Sequence, residues 1–138
     1  MRNVLIKSRG LTIAAHLYLP SGFTESEQYA AIGVLSVGEG LKQKAGAYAQ
    51  RLADQGFATL VFETIGQVAA EVSGAIDYLA TLAFVDKDRI GVLGVCEAAA
   101  TALEAASSDY RIKAVTTVGA EGVDEGMDKL TPFFMRNL

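Results

Sequence analysis

From Ala30 onward, nearly unbroken apolar runs alternate with stretches whose apolar residues recur every three or four positions, and few folds accommodate that alternation. The runs are Ala30-Ala31-Ile32-Gly33-Val34-Leu35-Ser36-Val37, Ala58 to Glu63, Arg89 to Cys96 and Arg111 to Gly119. Apolar strands without polar alternation are covered on both faces. Between them, Ala45, Tyr48, Ala49, Leu52 and Ala53 mark one helix, stopped by Gly56. Val68, Val72, Ile76 and Leu79 mark a second, ended near Leu82 by a loop carrying Asp86, Lys87 and Asp88. The alanine-rich stretch from Glu97 to Ser107 marks a third. Upstream, Val4 to Ser8 and Leu11 to Leu19 flank the turn Arg9-Gly10 as an antiparallel hairpin. The tail from Asp124 to Leu138 reads as a last helix, although Pro132 falls in its interior. The order β-β-β-α-β-α-β-α-β-α predicts an α/β fold: a mostly parallel, doubly wound sheet with an N-terminal antiparallel hairpin. Ligand sites in such sheets lie at the carboxyl ends of strands. That directs attention to Ser36–Gly40, Glu63–Gly66, Cys96–Ala98 and Gly119–Glu121.

No linker, repeat or charge block divides the 138 residues, which predicts one domain over residues 1–138. With 12 basic and 16 acidic residues and a net charge of -4, the chain lacks the footprint of a nucleic-acid binder. Met1 to Lys7 reaches a charge too early for a signal peptide, and no window approaches the roughly 18 apolar residues that span a bilayer. Neither nucleic acid nor membrane is therefore an expected partner, and the expected compartment is cytoplasmic. One cysteine, Cys96, and one histidine, His16, form neither a disulfide framework nor a Cys/His metal cluster. No cofactor is expected.

Arg89-Ile90-Gly91-Val92-Leu93-Gly94-Val95-Cys96-Glu97-Ala98 places a cysteine at a strand-to-helix junction, with Gly94 two positions before it and Ala98 two after. The layout is that of a nucleophile elbow, G-x-Nuc-x-G, with alanine in the last position. Around it stand Ser8-Arg9-Gly10-Leu11-Thr12, His16-Leu17-Tyr18-Leu19-Pro20, Tyr48 to Ala53 with Gln55-Gly56-Phe57, Phe84-Val85-Asp86 and Arg111-Ile112-Lys113-Ala114-Val115. In these segments the chain resembles the α/β-hydrolase superfamily, in its dienelactone hydrolase-related group, over roughly Val4 to Val123. The resemblance implies a shortened fold of about six strands in the order 1-2-4-3-5-6, and it implies Cys96 as nucleophile. It also implies a carboxylate and a histidine on later strands, which this chain lacks. His16 matches a non-catalytic strand position. Gly38-Glu39-Gly40 matches the oxyanion loop, where Glu39 would be a partner of Cys96. The loop between Glu63 and Gln67 is short for the family.

Two features oppose efficient catalysis. Glu97, beside the thiol, and Glu39 disfavour a second negative charge at Cys96, and alanines replace the small glycines that follow a typical nucleophile. The plain reading of a lone cysteine there is a small side chain packed under a helix start. The leading expectation is a degenerate or minimised hydrolase-like domain without an efficient triad, serving as a small-molecule binding or assembly module. One alternative is a weak Cys96-dependent esterase or thioesterase. Another is a cation site of Ca²⁺ or Mg²⁺ type, lined by the strand-end carboxylates Glu39, Glu63, Glu97 and Glu121. Gly38, Gly40, Glu63, Glu97 and Glu121 are accordingly the candidate ligand-binding residues, and no metal is assigned. A homodimer is expected through the 112–118 edge strand, through the C-terminal segment with Met127, Leu130, Phe133, Phe134, Met135 and Leu138, or through both.

Overall fold

A computed structural model describes residues 1–37, 39–66 and 68–138, with 39–42 described by their backbone. β1 (Arg2–Ser8) and β2 (Leu11–Tyr18) pair antiparallel from Arg2 opposite Leu17 to Ser8 opposite Leu11. The two residues between them, Arg9 and Gly10, both have positive φ, 56° and 76°. That combination makes a type I′ turn, whose twist matches the strands it joins. The chain then runs through β3 (Tyr29–Ser36), α1 (Glu39–Asp54), β4 (Ala58–Glu63), α2 (Ala69–Thr81), β5 (Val85–Val95), a 3-10 turn (Cys96–Ala98), α3 (Ala99–Ser108), β6 (Ala114–Val118) and α4 (Val123–Asn137).

The six strands form one sheet in the order β1-β2-β4-β3-β5-β6, with β2 antiparallel to β4 and the β4-β3-β5-β6 pairings parallel. This is the expected α/β architecture. Two apolar layers sandwich the sheet. One gathers Ile6, Ile13, Leu35, Phe62, Val92, Val72, Ile76, Leu79 and Ala102 on the side of α2 and α3. The other gathers Ile32, Val34, Val61, Leu93, Val95, Tyr48, Leu52, Met127, Leu130 and Phe134 on the side of α1 and α4.

Three departures from the expected boundaries have local reasons, and the last helix runs as expected. β5 begins at Val85, so Asp86 to Asp88 lie in the strand; Tyr29 pairs with Val85 and Ala31 with Ile90, an irregularity that absorbs the extra residues. Asp86 holds this stretch, accepting from the Asp88 N–H at 3.0 Å and from Arg89 Nε at 2.9 Å. β6 begins at Ala114, because Asp109 closes a turn by accepting from the Arg111 and Ile112 N–H groups. The edge predicted over residues 112–118 therefore shrinks to 114–118. Glu39 and Gly40 belong to the first turn of α1 and not to a glycine-rich turn, in keeping with the favourable position of an acidic residue at a helix start. α4 continues through Pro132, which is exposed, and buries Met127, Leu130 and Phe134 against the chain's own sheet. Much of the apolar tail is thus covered within the chain. Among the described residues, no helix is long and apolar enough to cross a membrane.

Candidate functional site at the Cys96 elbow

Register places the strand ends in one row. Glu63 of β4 pairs with Ser36 of β3, Leu35 with Gly94, and Val95 of β5 with Val118 of β6. One residue beyond that row the chain turns sharply into the helical layer, and the turning residue is Cys96, with φ of 52°. Positive φ is uncommon for a residue with a Cβ and costs about 1–3 kcal/mol unless its surroundings hold it. Gly94 is part of what holds it. A Cβ there would lie 2.8 Å from Ala102 Cβ and 2.9 Å from Ala99 Cα, so only glycine lets α3 pack this closely under the turn.

Cys96 is half-buried and not fully packed away under the helix start. Its Sγ donates to the Gly119 carbonyl at 3.1 Å. The same oxygen accepts from Lys44 Nζ at 2.7 Å, and the Gly119 N–H donates to Glu121 Oε1. Lys129 lies 3.5 Å from Glu121 Oε2. The Gly119 N–H, then Lys129 and Lys44, hold the Glu121 carboxyl below its ordinary range. Tyr48, buried on the same side, reaches the Gly122 carbonyl at 3.5 Å; burial, then the charges of Glu121, Cys96 and Glu125, push its hydroxyl up and keep it a neutral donor. Ser36 closes the row: its Oγ is fully buried and has no hydrogen-bond partner among the described residues.

Of the residues singled out from sequence, the structure brings Cys96 and Glu121 together through the Gly119 peptide. Glu63 is half-buried two strands from β5, and Glu97 faces solvent. Gly38 lies outside the described residues, as do the side chains at Glu39 and Gly40. Among the described residues no group of three or more His, Cys, Asp or Glu is placed to hold a metal ion, and the Glu39 side chain, one of the four carboxylates named for a cation site, lies outside them. His16 pairs with Val61 on the far side of β4, three strand spacings or about 14 Å from β5, too far to act as base for Cys96. Sequence reasoning missed Lys44 and Tyr48. Their i,i+4 spacing puts both on one helix face, but that spacing alone does not say that the face meets the Cys96 turn.

No family model matches the chain. It is 37% identical over 129 residues to the uncharacterized protein YcjY of Escherichia coli strain K12, a match covering 82% of this chain and 42% of that protein. The crystal structure of the hypothetical protein PA2218 from Pseudomonas aeruginosa superposes with a TM-score of 0.72 and 34% identity, over 84% of this chain and 41% of that one. A dienelactone hydrolase-like promiscuous phosphotriesterase, P91, from metagenomic libraries superposes with a TM-score of 0.70 at 24% identity, over 85% of this chain and 57% of that one. The chain thus spans about two fifths of the length of its curated relatives.

Proposed function

We propose that this chain, which has the α/β-hydrolase fold and is a relative of the dienelactone hydrolase-like proteins, presents the nucleophile half of a hydrolase site and turns over poorly by itself. It accepts an acyl group on Cys96 and releases it slowly. The observation that carries this reading is the half-exposed Cys96 at φ of 52°, on a turn held by close packing at Gly94, in a chain whose one histidine lies about 14 Å away. The bond changes are those of acyl transfer. The thiol loses its proton to solvent, sulfur attacks the acyl carbonyl, and the carbon–oxygen bond to the leaving group breaks as the carbon–sulfur bond persists. The backbone N–H groups of Glu97 and Ala98 open a helical turn, where N–H groups have no intrahelical partner and suit a developing oxyanion. The Ser36 hydroxyl, which has no partner among the described residues, supports a ligand at this row, since a buried hydroxyl is ordinarily hydrogen-bonded. Hydrolysis of the resulting thioester needs a base to activate water, and a hydrolase deprived of such a group loses several powers of ten in rate.

Incubating the protein with p-nitrophenyl acetate tests this. Nitrophenolate should appear as a burst of about one equivalent followed by a rate near background. Mass spectrometry should find one acetyl group on Cys96, lost in Cys96→Ala and retained in His16→Ala. Fast, saturable, Cys96-dependent turnover would instead make the chain an esterase in its own right. No adduct on the native protein, with ready labelling once it is unfolded, would leave it a fold without thiol chemistry.

Assembly is a separate proposal. With much of α4's apolar surface covered by its own sheet, the surface we propose for a homodimer is the outer edge of β6.

A further inference from the structure

We infer that Lys44 is the counter-cation of the Cys96 thiolate, a positioning residue that lets this cysteine react without a histidine; the inference rests on the acyl-acceptor reading above. Cys96 Sγ at 3.1 Å and Lys44 Nζ at 2.7 Å share the Gly119 carbonyl oxygen, so sulfur and ammonium lie no more than about 5.8 Å apart. In the resting state the thiol is a neutral donor and the oxygen is satisfied twice. Once the S–H proton leaves for a solvent base, the same geometry sets an anionic sulfur against a carbonyl oxygen with no hydrogen between them. That arrangement repels unless a donor enters. The ammonium, with three donors on a flexible stem, can keep one bond to the carbonyl and turn another to sulfur.

The other described charges around the sulfur leave this task to Lys44. From the helical turn, Glu97 points to solvent and opposes the thiolate. From the segment after β6, Glu121 also opposes the thiolate, although its half-buried carboxylate is tied to the Gly119 N–H and to Lys129. From α4, Glu125 is exposed and Lys129 faces Glu121. From α1, Tyr48 stays neutral and Lys44 is the cation that donates to the oxygen holding the thiol. An opposite charge at this range typically favours the charged form of a group by a factor of ten or more.

The test is the rate of iodoacetamide alkylation from about pH 6 to about pH 10, on the intact 138-residue chain. Alkylation forms the sulfur–carbon bond and expels iodide, so its rate follows the thiolate without requiring turnover. Lys44→Met and Lys44→Gln should alkylate about tenfold more slowly at neutral pH, with their profiles displaced to the alkaline side. Lys44→Arg should stay close to the parent. Thermal unfolding of each variant checks that the fold is intact, and the two neutral substitutions guard against one that disturbs packing. Parental rates in both neutral variants overturn the inference, as does an arginine variant as slow as they are, which would indicate packing instead of charge. If Lys44 proves indifferent while the acetyl adduct on Cys96 still forms, the acyl-acceptor reading stands without it. An absent adduct beside a Lys44-dependent profile would remove that reading and leave the charge pairing in place.

Discussion

Gly94 shows how much a single residue decides at the elbow. A methyl group there meets Ala102 Cβ at 2.8 Å and the α3 backbone at Ala99 Cα, which cannot swing aside as a flexible side chain could. Gly94→Ala is therefore expected to cost about 1–3 kcal/mol in denaturant unfolding and to slow acylation of Cys96, because the turn must move to relieve the contact. Glu71 has a comparable role on the loop after β4. Its carboxylate accepts from the N–H groups of Ile65 at 2.8 Å, Gly66 at 3.0 Å and Val68 at 3.2 Å and from the Thr64 hydroxyl at 2.9 Å. Burial works to raise its titration point; the Ile65 N–H, Thr64 hydroxyl and the other two N–H groups outweigh it and hold Glu71 below its ordinary range. The resulting stability is present above the ordinary glutamate value of about 4.3 and is lost as pH falls through the depressed one. Glu71→Gln turns an amide donor toward one of these N–H groups. It should cost about 1–3 kcal/mol at neutral pH and flatten the acid limb of a melting-temperature profile; an unchanged profile would deny the carboxylate this role. Cys96 could be found from sequence because an elbow has a pattern. Lys44 could not, since a lysine on an amphipathic helix ordinarily reads as solvated and only the fold brings it to Gly119.

At the level of elements, one charge network ties together three parts distant in the chain. Asp77 of α2 accepts from Ser8 Oγ at 2.6 Å, Arg9 Nε at 2.9 Å and Arg111 Nη1 at 2.8 Å. Arg111 also forks onto Asp109, which takes a bond from Ser73 Oγ at 2.9 Å. The β1–β2 turn, α2 and the turn before β6 are thereby fastened across the α2 and α3 face. Arg9, against burial and with help from Ser8 and Arg111, holds Asp77 well below the usual carboxylate range; Arg111 and Ser73 bring Asp109 down to about 2. Both groups are depressed in the folded state, so their contribution is complete above the ordinary aspartate value of about 3.9 and disappears as pH falls through the folded ones. Melting temperature should be level in this respect above about pH 5 and decline below about pH 4. Arg111→Met should lower stability by about 2 kcal/mol at neutral pH and make that decline shallower; an equally steep decline would place the acid sensitivity elsewhere. The hairpin, the buried strands and the helix stripes were readable because apolar spacing reports them. The start of β5 was not: Asp86, Lys87 and Asp88 carry loop chemistry, and they fall within the strand because Val85 before them pairs with Tyr29 and Ile90 after them with Ala31.

For the whole molecule, the sheet has two different edges. β1 carries Arg2 and Lys7, charges of the kind that discourage edge pairing. β6 has no charge between Ala114 and Val118 and pairs with β5 alone among the described residues. The Lys113 N–H donates to the Ile90 carbonyl. Parallel pairing uses alternate residues, so the peptide groups of Val115 and Thr117 also face β5, while those of Ala114, Thr116 and Val118 face outward. An edge of that sort takes up another strand: the next one of a longer polypeptide in this fold, or that of a second molecule. For the 138-residue polypeptide by itself, a two-fold axis beside Thr116 would oppose Ala114 to the partner's Val118 and Thr116 to its own copy. Every outward peptide group would then pair, and the two sheets would become one. Thr116→Pro tests this sharply, because proline removes an outward N–H while leaving the bonds to β5 in place, and proline is tolerated on edge strands. Light scattering over a concentration series should find a dimer for the parent chain and a monomer for Thr116→Pro, with both melting within a few degrees of each other. A parent chain that stays monomeric throughout, or a proline variant that dimerises as well as the parent, would move the interface away from β6.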